Sequence, residues 1–275
     1  MANHKPNTPI ALSIAGSDPS GGAGIQADLK TFSAHGVYGC AVITALTAQN
    51  TLGVSGVWPV PVESVQQQVE SVLSDVPVNT IKLGMLYSAE IIEVVARVLA
   101  RFPNIPIICD PVMVATSGDA LLDRNAVDVI TQKIFPLATL VTPNLDEAAA
   151  LLNENIAETS DQMKTQCERL LSMGCQAVLL KGGHLREDES TDVMIHKTEG
   201  KFTQHVFSLP RIDTKNTHGT GCTLSSAICA NLAKGVSLLD AVSGAKRYVT
   251  DAIKFSDRIN IGSGNGPVNH LYEMQ

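Results

Sequence analysis

Ile10-Ala11-Leu12-Ser13-Ile14-Ala15-Gly16-Ser17-Asp18-Pro19-Ser20-Gly21-Gly22 begins as an apolar run of strand length and ends in turn-forming residues. Residues 23–35 then place Ile25, Leu29 and Phe32 at helical spacing, so the unit reads strand, loop, helix. The alternation repeats along the chain. Residues 38–47 and 55–59 predict strands around a polar turn at 50–53, followed by a helix over 62–73. A strand at 80–83, a helix at 89–101 and a strand at 105–109 come next, the last stopping at Asp110-Pro111. Helix is expected at 125–135, strand at 137–141, helices at 146–152 and 160–173, and strand at 177–180. Residues 191–196 and 202–208 read as an antiparallel pair, and helices at 220–233 and 238–255 close the chain. Strands alternating with helices predict an α/β fold with a mostly parallel central sheet covered on both faces. With no linker-like segment and no internal repeat, residues 1–275 are expected to form one domain.

Composition supports a globular chain: 44% of residues are hydrophobic and 17% charged. The balance of 20 basic against 27 acidic residues, a net charge of −7, argues against non-specific nucleic-acid binding. The first nine residues lack the apolar core of a signal peptide, and no stretch approaches the roughly 18 apolar residues of a membrane span. Six scattered cysteines without a CxxC pair fit free thiols in a reducing compartment, so a cytoplasmic location away from membranes is expected.

In doubly wound sheets ligands bind beyond the carboxyl ends of the strands. Gly16 to Gly22, Gly84-Met85, Asp110-Pro111, Thr142-Pro143-Asn144, Lys181-Gly182-Gly183-His184 and the helix start at Thr220 all fall there. The most informative is Asn216-Thr217-His218-Gly219-Thr220-Gly221-Cys222-Thr223, directly before an apolar helix. Glycines admit an anion to the backbone, and the unpaired amides and dipole of a helix start attract it. A Gly-rich turn that merely starts a helix would look similar, but Cys222 in the first turn adds a thiol expected to have a lowered pKa. There is no GxxxxGK[ST] and no GxGxxG after the first strand, which removes the P-loop nucleotidases and weakens a dinucleotide reading.

Gly16-Ser17-Asp18-Pro19-Ser20-Gly21-Gly22-Ala23-Gly24-Ile25-Gln26-Ala27-Asp28, Thr44-Ala45-Leu46-Thr47-Ala48-Gln49-Asn50, Gly84-Met85, Thr142-Pro143-Asn144, Lys181-Gly182-Gly183-His184 and His218-Gly219-Thr220-Gly221-Cys222-Thr223 together resemble the bacterial hydroxymethylpyrimidine/phosphomethylpyrimidine kinases. The resemblance runs in order from about residue 10 to residue 270. It implies a ribokinase-like three-layer fold, a homodimer, and two successive Mg-ATP-dependent phosphorylations in thiamine biosynthesis.

The resemblance also implies a role for particular side chains. Gln49 would pair with an aminopyrimidine edge, which its acceptor and two donors complement, although a turn glutamine needs no such partner. Gly16, Met85 and Val112 would line the ring, and Asp28 would reach the hydroxymethyl group, although Asp28 also suits a solvated helix position. Asp110 and Glu147 would hold Mg²⁺, partly through water. Glu147 and Asn144 equally suit the first turn and N-cap of a helix. Asn144 would also contribute to the nucleotide site. Lys181, ending the strand Val178-Leu179-Leu180, would aim its charge at the ATP phosphates, and otherwise reads as a snorkelling strand-end lysine. Lys246 would line the adenine or ribose side, or lie on a solvated helix face. Gly219, Thr220 and Gly221 would form an anion hole with Cys222, which stands where many relatives in the wider superfamily carry an Asp base.

His184 and His218 raise a zinc or Cys-His hydrolase reading, but no spaced ligand cluster or orienting acid is legible. The nearer rival is pyridoxal kinase, because some members of this branch phosphorylate pyridoxal. A non-catalytic pyrimidine-binding protein on the same fold is a third possibility. No role for Gly262-Ser263-Gly264-Asn265-Gly266 can be read from the sequence.

Overall fold

The strand Ile10–Ala15 (β1) lies in the interior of an eight-stranded sheet, hydrogen-bonded on one side to Tyr38–Ile43 (β2) and on the other to Thr80–Leu83 (β5). The computed structural model describes residues 8–113, 124–183, 189–198 and 200–274. Beyond β5 the sheet continues through Ile107–Cys109 (β6), Leu140–Val141 (β7) and Ala177–Lys181 (β8), all parallel. Glu189–Thr198 (β9) and Lys201–Pro210 (β10) finish it as an antiparallel pair. The order β10-β9-β8-β7-β6-β5-β1-β2, with helices on both faces, makes the three-layer, mostly parallel α/β arrangement that the alternation predicts and the resemblance implies.

Alternate strand residues feed two cores. Leu12, Ile14, Ile81, Leu83 and Val178 pack against five helices: Val62–Asp75 (α2), Ala89–Leu99 (α3), Arg124–Lys133 (α4), Leu145–Leu152 (α5) and Ser160–Leu171 (α6). Ala11, Ile108, Leu140 and Leu179 pack against Gly24–Ala34 (α1), Thr220–Ala233 (α7) and Leu238–Lys254 (α8). Burial on both faces explains the nearly continuous apolar strands. Caps set the helix starts: Ser88 accepts from the Ile91 amide, and Asn144 and Glu147 form a reciprocal capping box on α5.

The expected single strand over 38–47 is two strands. β2 leaves the sheet at Ile43, and Ala45–Asn50 (β3) pairs instead with Gly53–Pro59 (β4) in a separate antiparallel hairpin. The break falls at buried Thr44, whose hydroxyl donates to the Met85 carbonyl at 2.6 Å and whose amide donates to Ala15. The apolar pattern runs on across this point, so periodicity gives no sign that the bonding partner changes. The hairpin stands over the carboxyl ends of β1 and β5. There β1 is followed by β2 on one side while the rest of the parallel sheet grows on the other, which is where an α/β sheet opens a crevice.

Candidate active site

A cavity of 980 Å³ lies at the carboxyl ends of the parallel strands and takes in the hairpin, the helix start at Thr220 and the ends of β6 and β8. One end is apolar. Met85 packs with Ala45, Val54, Val57, Tyr87 and Val112, and Gly16 lies against the Met85 methyl. Gln49 faces the same region from β3. The pairing slips between Ala48 and Gln49, because Ser55 bulges out of β4, and such a bulge re-aims the side chains beside it.

The other end is built on α7. Its N-cap, Gly219, has φ +82°, and a Cβ there would collide with the Gly22 carbonyl, so only glycine fits. Among the described residues no side chain caps the helix, and the amides of its first turn lie ahead of the intrahelical hydrogen-bond ladder. The preceding His218 is fixed by Asp18, whose Oδ2 lies 2.8 Å from His218 Nε2 and also accepts the Gly22 and Ala23 amides. Burial would raise the Asp18 pKa, but the hydrogen bond from His218 and others more than offset it and hold the group below its ordinary value. Asp18 is thus the orienting acid that the sequence did not reveal. It serves the loop, and it gives no support to a Cys-His hydrolase.

Beside α7 stands a row of buried charges. Lys181 Nζ donates to Asp110 Oδ1 at 2.8 Å and lies 3.8 Å from Glu147 Oε2. Asp110 also accepts from Thr142 and Ser225. Burial alone would push Asp110 up and Lys181 down; their pairing reverses both shifts, leaving the carboxylate and the ammonium ionised. Glu147 is pushed up to about 7 by burial and by Asp110, against the pull of Lys181. A Cβ on Gly221 would stand 3.3 Å from Lys181 Nζ, so the helix start, the lysine and the carboxylate converge. Among the described residues no cluster of three or more His, Cys, Asp or Glu could cage a metal. Asp110 and Glu147 instead fit the few-carboxylate set with which Mg²⁺ binds, its remaining ligands being waters and phosphates.

Two expectations are corrected here. Asp28 does not reach the cavity: it is fully buried behind Lys82, accepting Lys82 Nζ on both oxygens at 2.9 Å and the hydroxyls of Ser13 and Ser226. With every oxygen occupied it is the counter-ion of a buried lysine. Cys222 does not have a lowered pKa: burial raises it to about 11, outweighing the opposing pull of Lys82 and the Gly24 amide. At neutral pH the group is a thiol, because desolvation, with the nearby Asp28 and Asp110 carboxylates, outweighs Lys82 and the Gly24 amide.

Lys246 lines the cavity wall, where its Nζ donates to Asp192 Oδ2 at 2.7 Å and to Ser190. Asn144 lies at the same end as the cap of α5, bridged to Lys181. His184 falls outside the described residues. The sequence reading missed Lys82, Asp18 and Asp192. Lys82 carried one signal, a lysine inside the apolar strand Thr80-Ile81-Lys82-Leu83, where a charge persists only with a partner.

A parallel sheet with an uncapped glycine helix start opposite a lysine and two carboxylates defines a ribokinase-like phosphotransferase. Residues 18–269 match the phosphomethylpyrimidine kinase family model. The chain is 53% identical over 267 residues to the hydroxymethylpyrimidine/phosphomethylpyrimidine kinase of Rhizobium meliloti, covering 96% of this chain and 98% of that one. Among solved structures it is similar to Bacillus subtilis pyridoxal kinase in an ADP complex, with TM-score 0.87, 34% identity and 98% and 100% of the two chains covered. It is also similar to phosphomethylpyrimidine kinase from Clostridium difficile, with TM-score 0.76, 41% identity and 89% and 99% covered. The chain belongs to the hydroxymethylpyrimidine/phosphomethylpyrimidine kinase family, phosphotransferases of thiamine biosynthesis that use ATP.

Proposed function

We propose that this chain transfers the γ-phosphoryl group of ATP first to the hydroxymethyl oxygen of 4-amino-5-hydroxymethyl-2-methylpyrimidine and then to the resulting monophosphate. The observation that carries this reading is the convergence of the α7 start, Lys181 and Asp110 at one end of a cavity whose other end presents Gln49 over the Met85–Val112 wall.

In this reading Gln49 hydrogen-bonds the aminopyrimidine edge while Gly16, Met85 and Val112 hold the ring, leaving the hydroxymethyl group directed at Cys222. The amides of Gly219 to Cys222 take the transferring phosphoryl group, where the fixed dipole meets the charge it develops. Lys181 swings its ammonium from the carboxylates toward the ATP phosphates, and Asn144 and Lys246 border the nucleotide. Asp110 and Glu147 would hold Mg²⁺, which neutralises phosphate charge when bound. The chemistry tolerates a weak base, so a neutral thiol at Cys222 can stay near the hydroxyl while the anion hole does most of the stabilising. Free cysteines throughout support a cytoplasmic setting, and the family resemblance supports a homodimer.

The likeness to Bacillus subtilis pyridoxal kinase keeps a second substrate in view, since pyridoxal also carries a ring hydroxymethyl group. ATP consumption measured with each alcohol in turn tests the reading. Turnover with hydroxymethylpyrimidine at a kcat/KM well above that for pyridoxal is expected. Preference for pyridoxal, or no turnover of either, would overturn it in favour of pyridoxal salvage or of a non-catalytic binding protein.

A further inference from the structure

The Gly262-to-Gly266 segment joins the two ends of the site. At the tip of the β3–β4 hairpin, two residues beyond Gln49, Thr51 accepts the Gly264 amide on its hydroxyl at 3.2 Å and the Asn265 amide on its carbonyl at 2.9 Å. One residue further along, the Gly266 carbonyl accepts the His218 amide at 3.0 Å, and His218 pairs with Pro267 as an isolated bridge. His218 directly precedes Gly219. The segment lies so close to the hairpin that a Cβ on Gly264 would collide with the Thr51 carbonyl. A short run of backbone therefore connects the hairpin that carries Gln49 to the loop that opens α7.

The geometry points to this segment as a strap that sets the distance between the ring-binding hairpin and the phosphoryl-binding helix start, with Thr51 as the positioning residue through which it acts. The inference rests on the substrate reading above. The base of the hairpin is held to the loop after β1, where the Ser17 amide donates to the Ala45 carbonyl and the Thr47 hydroxyl to the Ser17 carbonyl, but its tip lies beyond those bonds and outside the main sheet. Those bonds stop at Thr47, so they alone cannot fix where Gln49 stands relative to Gly219. The strap can, because its two ends bond to both. A misplacement of about an ångström between a bound group and the reacting centre is enough to cost rate.

The test compares wild type with Thr51→Val, Thr51→Ser and Gly264→Ala. Valine keeps the shape and the Thr51 carbonyl but removes the hydroxyl acceptor, serine keeps the hydroxyl, and alanine pushes the strap off the hairpin. Steady-state constants for the pyrimidine and for ATP are read together with amide hydrogen exchange across residues 45–59. Thr51→Val and Gly264→Ala should lower kcat/KM for the pyrimidine about tenfold, equal to about 1.4 kcal/mol. The ATP KM should stay within about twofold, and hairpin exchange should quicken while melting shifts by no more than about 2 °C. Thr51→Ser should stay close to wild type in every measure. Unchanged pyrimidine kinetics with unchanged exchange would overturn the strap, as would equal losses for both substrates accompanied by a lower melting point. If the wild-type protein turned over no pyrimidine, the substrate reading would fail by itself, and the exchange data alone would decide whether the strap holds the hairpin.

Discussion

Gln49 and Cys222 face the two ends of the cavity, and they predict different kinds of loss. Gln49 lines the cavity beside a bulge, and under the proposed function Gln49→Leu leaves the ring edge of the pyrimidine without its partner. The expected penalty is about 1–3 kcal/mol in pyrimidine binding with ATP binding nearly intact. Calorimetric titration with each ligand separately checks it, and equal weakening of both would remove Gln49 from the ring end. Cys222 yields a mild prediction. Its thiol is pushed up to about 11, so almost none ionises at neutral pH, and serine leaves the backbone amides of the helix start in place. Cys222→Ser should keep kcat within about fivefold of wild type, about 1 kcal/mol of barrier. Wild-type kcat at saturating substrates should lack a cysteine limb between pH 7 and 9. A loss of about 10²–10⁴-fold, the scale of a positioned base, would instead assign proton transfer to the thiol.

Elements meet in this fold through buried charge as well as apolar contact. β5 holds α1 and α7 through Lys82, Asp28 and Ser226, with β1 joining through Ser13. Burial would lower the Lys82 pKa, but Asp28 reverses this and keeps the ammonium charged. Removing one partner strands the other in a low-dielectric layer. Lys82→Met should therefore lower folding stability by about 3–5 kcal/mol, and adding Asp28→Asn should recover a substantial part. Urea unfolding of the two single variants and the double variant measures the coupling; additive losses would show that the pair is not interacting. Because Ser226 follows Cys222 by one helical turn, this network also seats the helix start, and Lys82, which lines the cavity, supports the site from within the sheet.

At the scale of the whole molecule the C-terminal segment closes the structure against α7 and α8. Buried His270 lies 3.0 Å from the Thr223 hydroxyl, and its carbonyl accepts Tyr248 at 2.6 Å. Burial, then Lys30 and His218, push its pKa down to about 4 from 6.5. The unfolded chain therefore binds the extra proton between those values, and stability rises with pH across that window. Its contribution is complete above about pH 6.5 and is lost as pH falls toward 4, by roughly 3 kcal/mol at most. Melting curves from pH 7 to pH 4 should show this loss in wild type and a flatter profile in His270→Gln. A profile identical in the two would remove His270 as the source of the acid sensitivity.

The sequence by itself determined the alternation of strand and helix, the glycine loops at the strand ends, and the helix start that follows His218-Gly219-Thr220-Gly221. Each depends on a few neighbouring residues: apolar runs matched to a two-sided sheet, and glycine where the backbone must turn left-handed. Only the tertiary structure decided the rest. The exit of the chain at Thr44 depends on Met85, the burial of Asp28 on a lysine 54 residues away, the orientation of His218 on an acid 200 residues away, and the tie between Thr51 and Gly264 on a span of 213. The pKa of Cys222 belongs to the same class, because local position offered only the helix dipole, which favours the thiolate, whereas burial is set by everything packed around it. Desolvation and ion pairing act between groups that are close in space, whatever their separation along the chain, and folding alone brings such groups together.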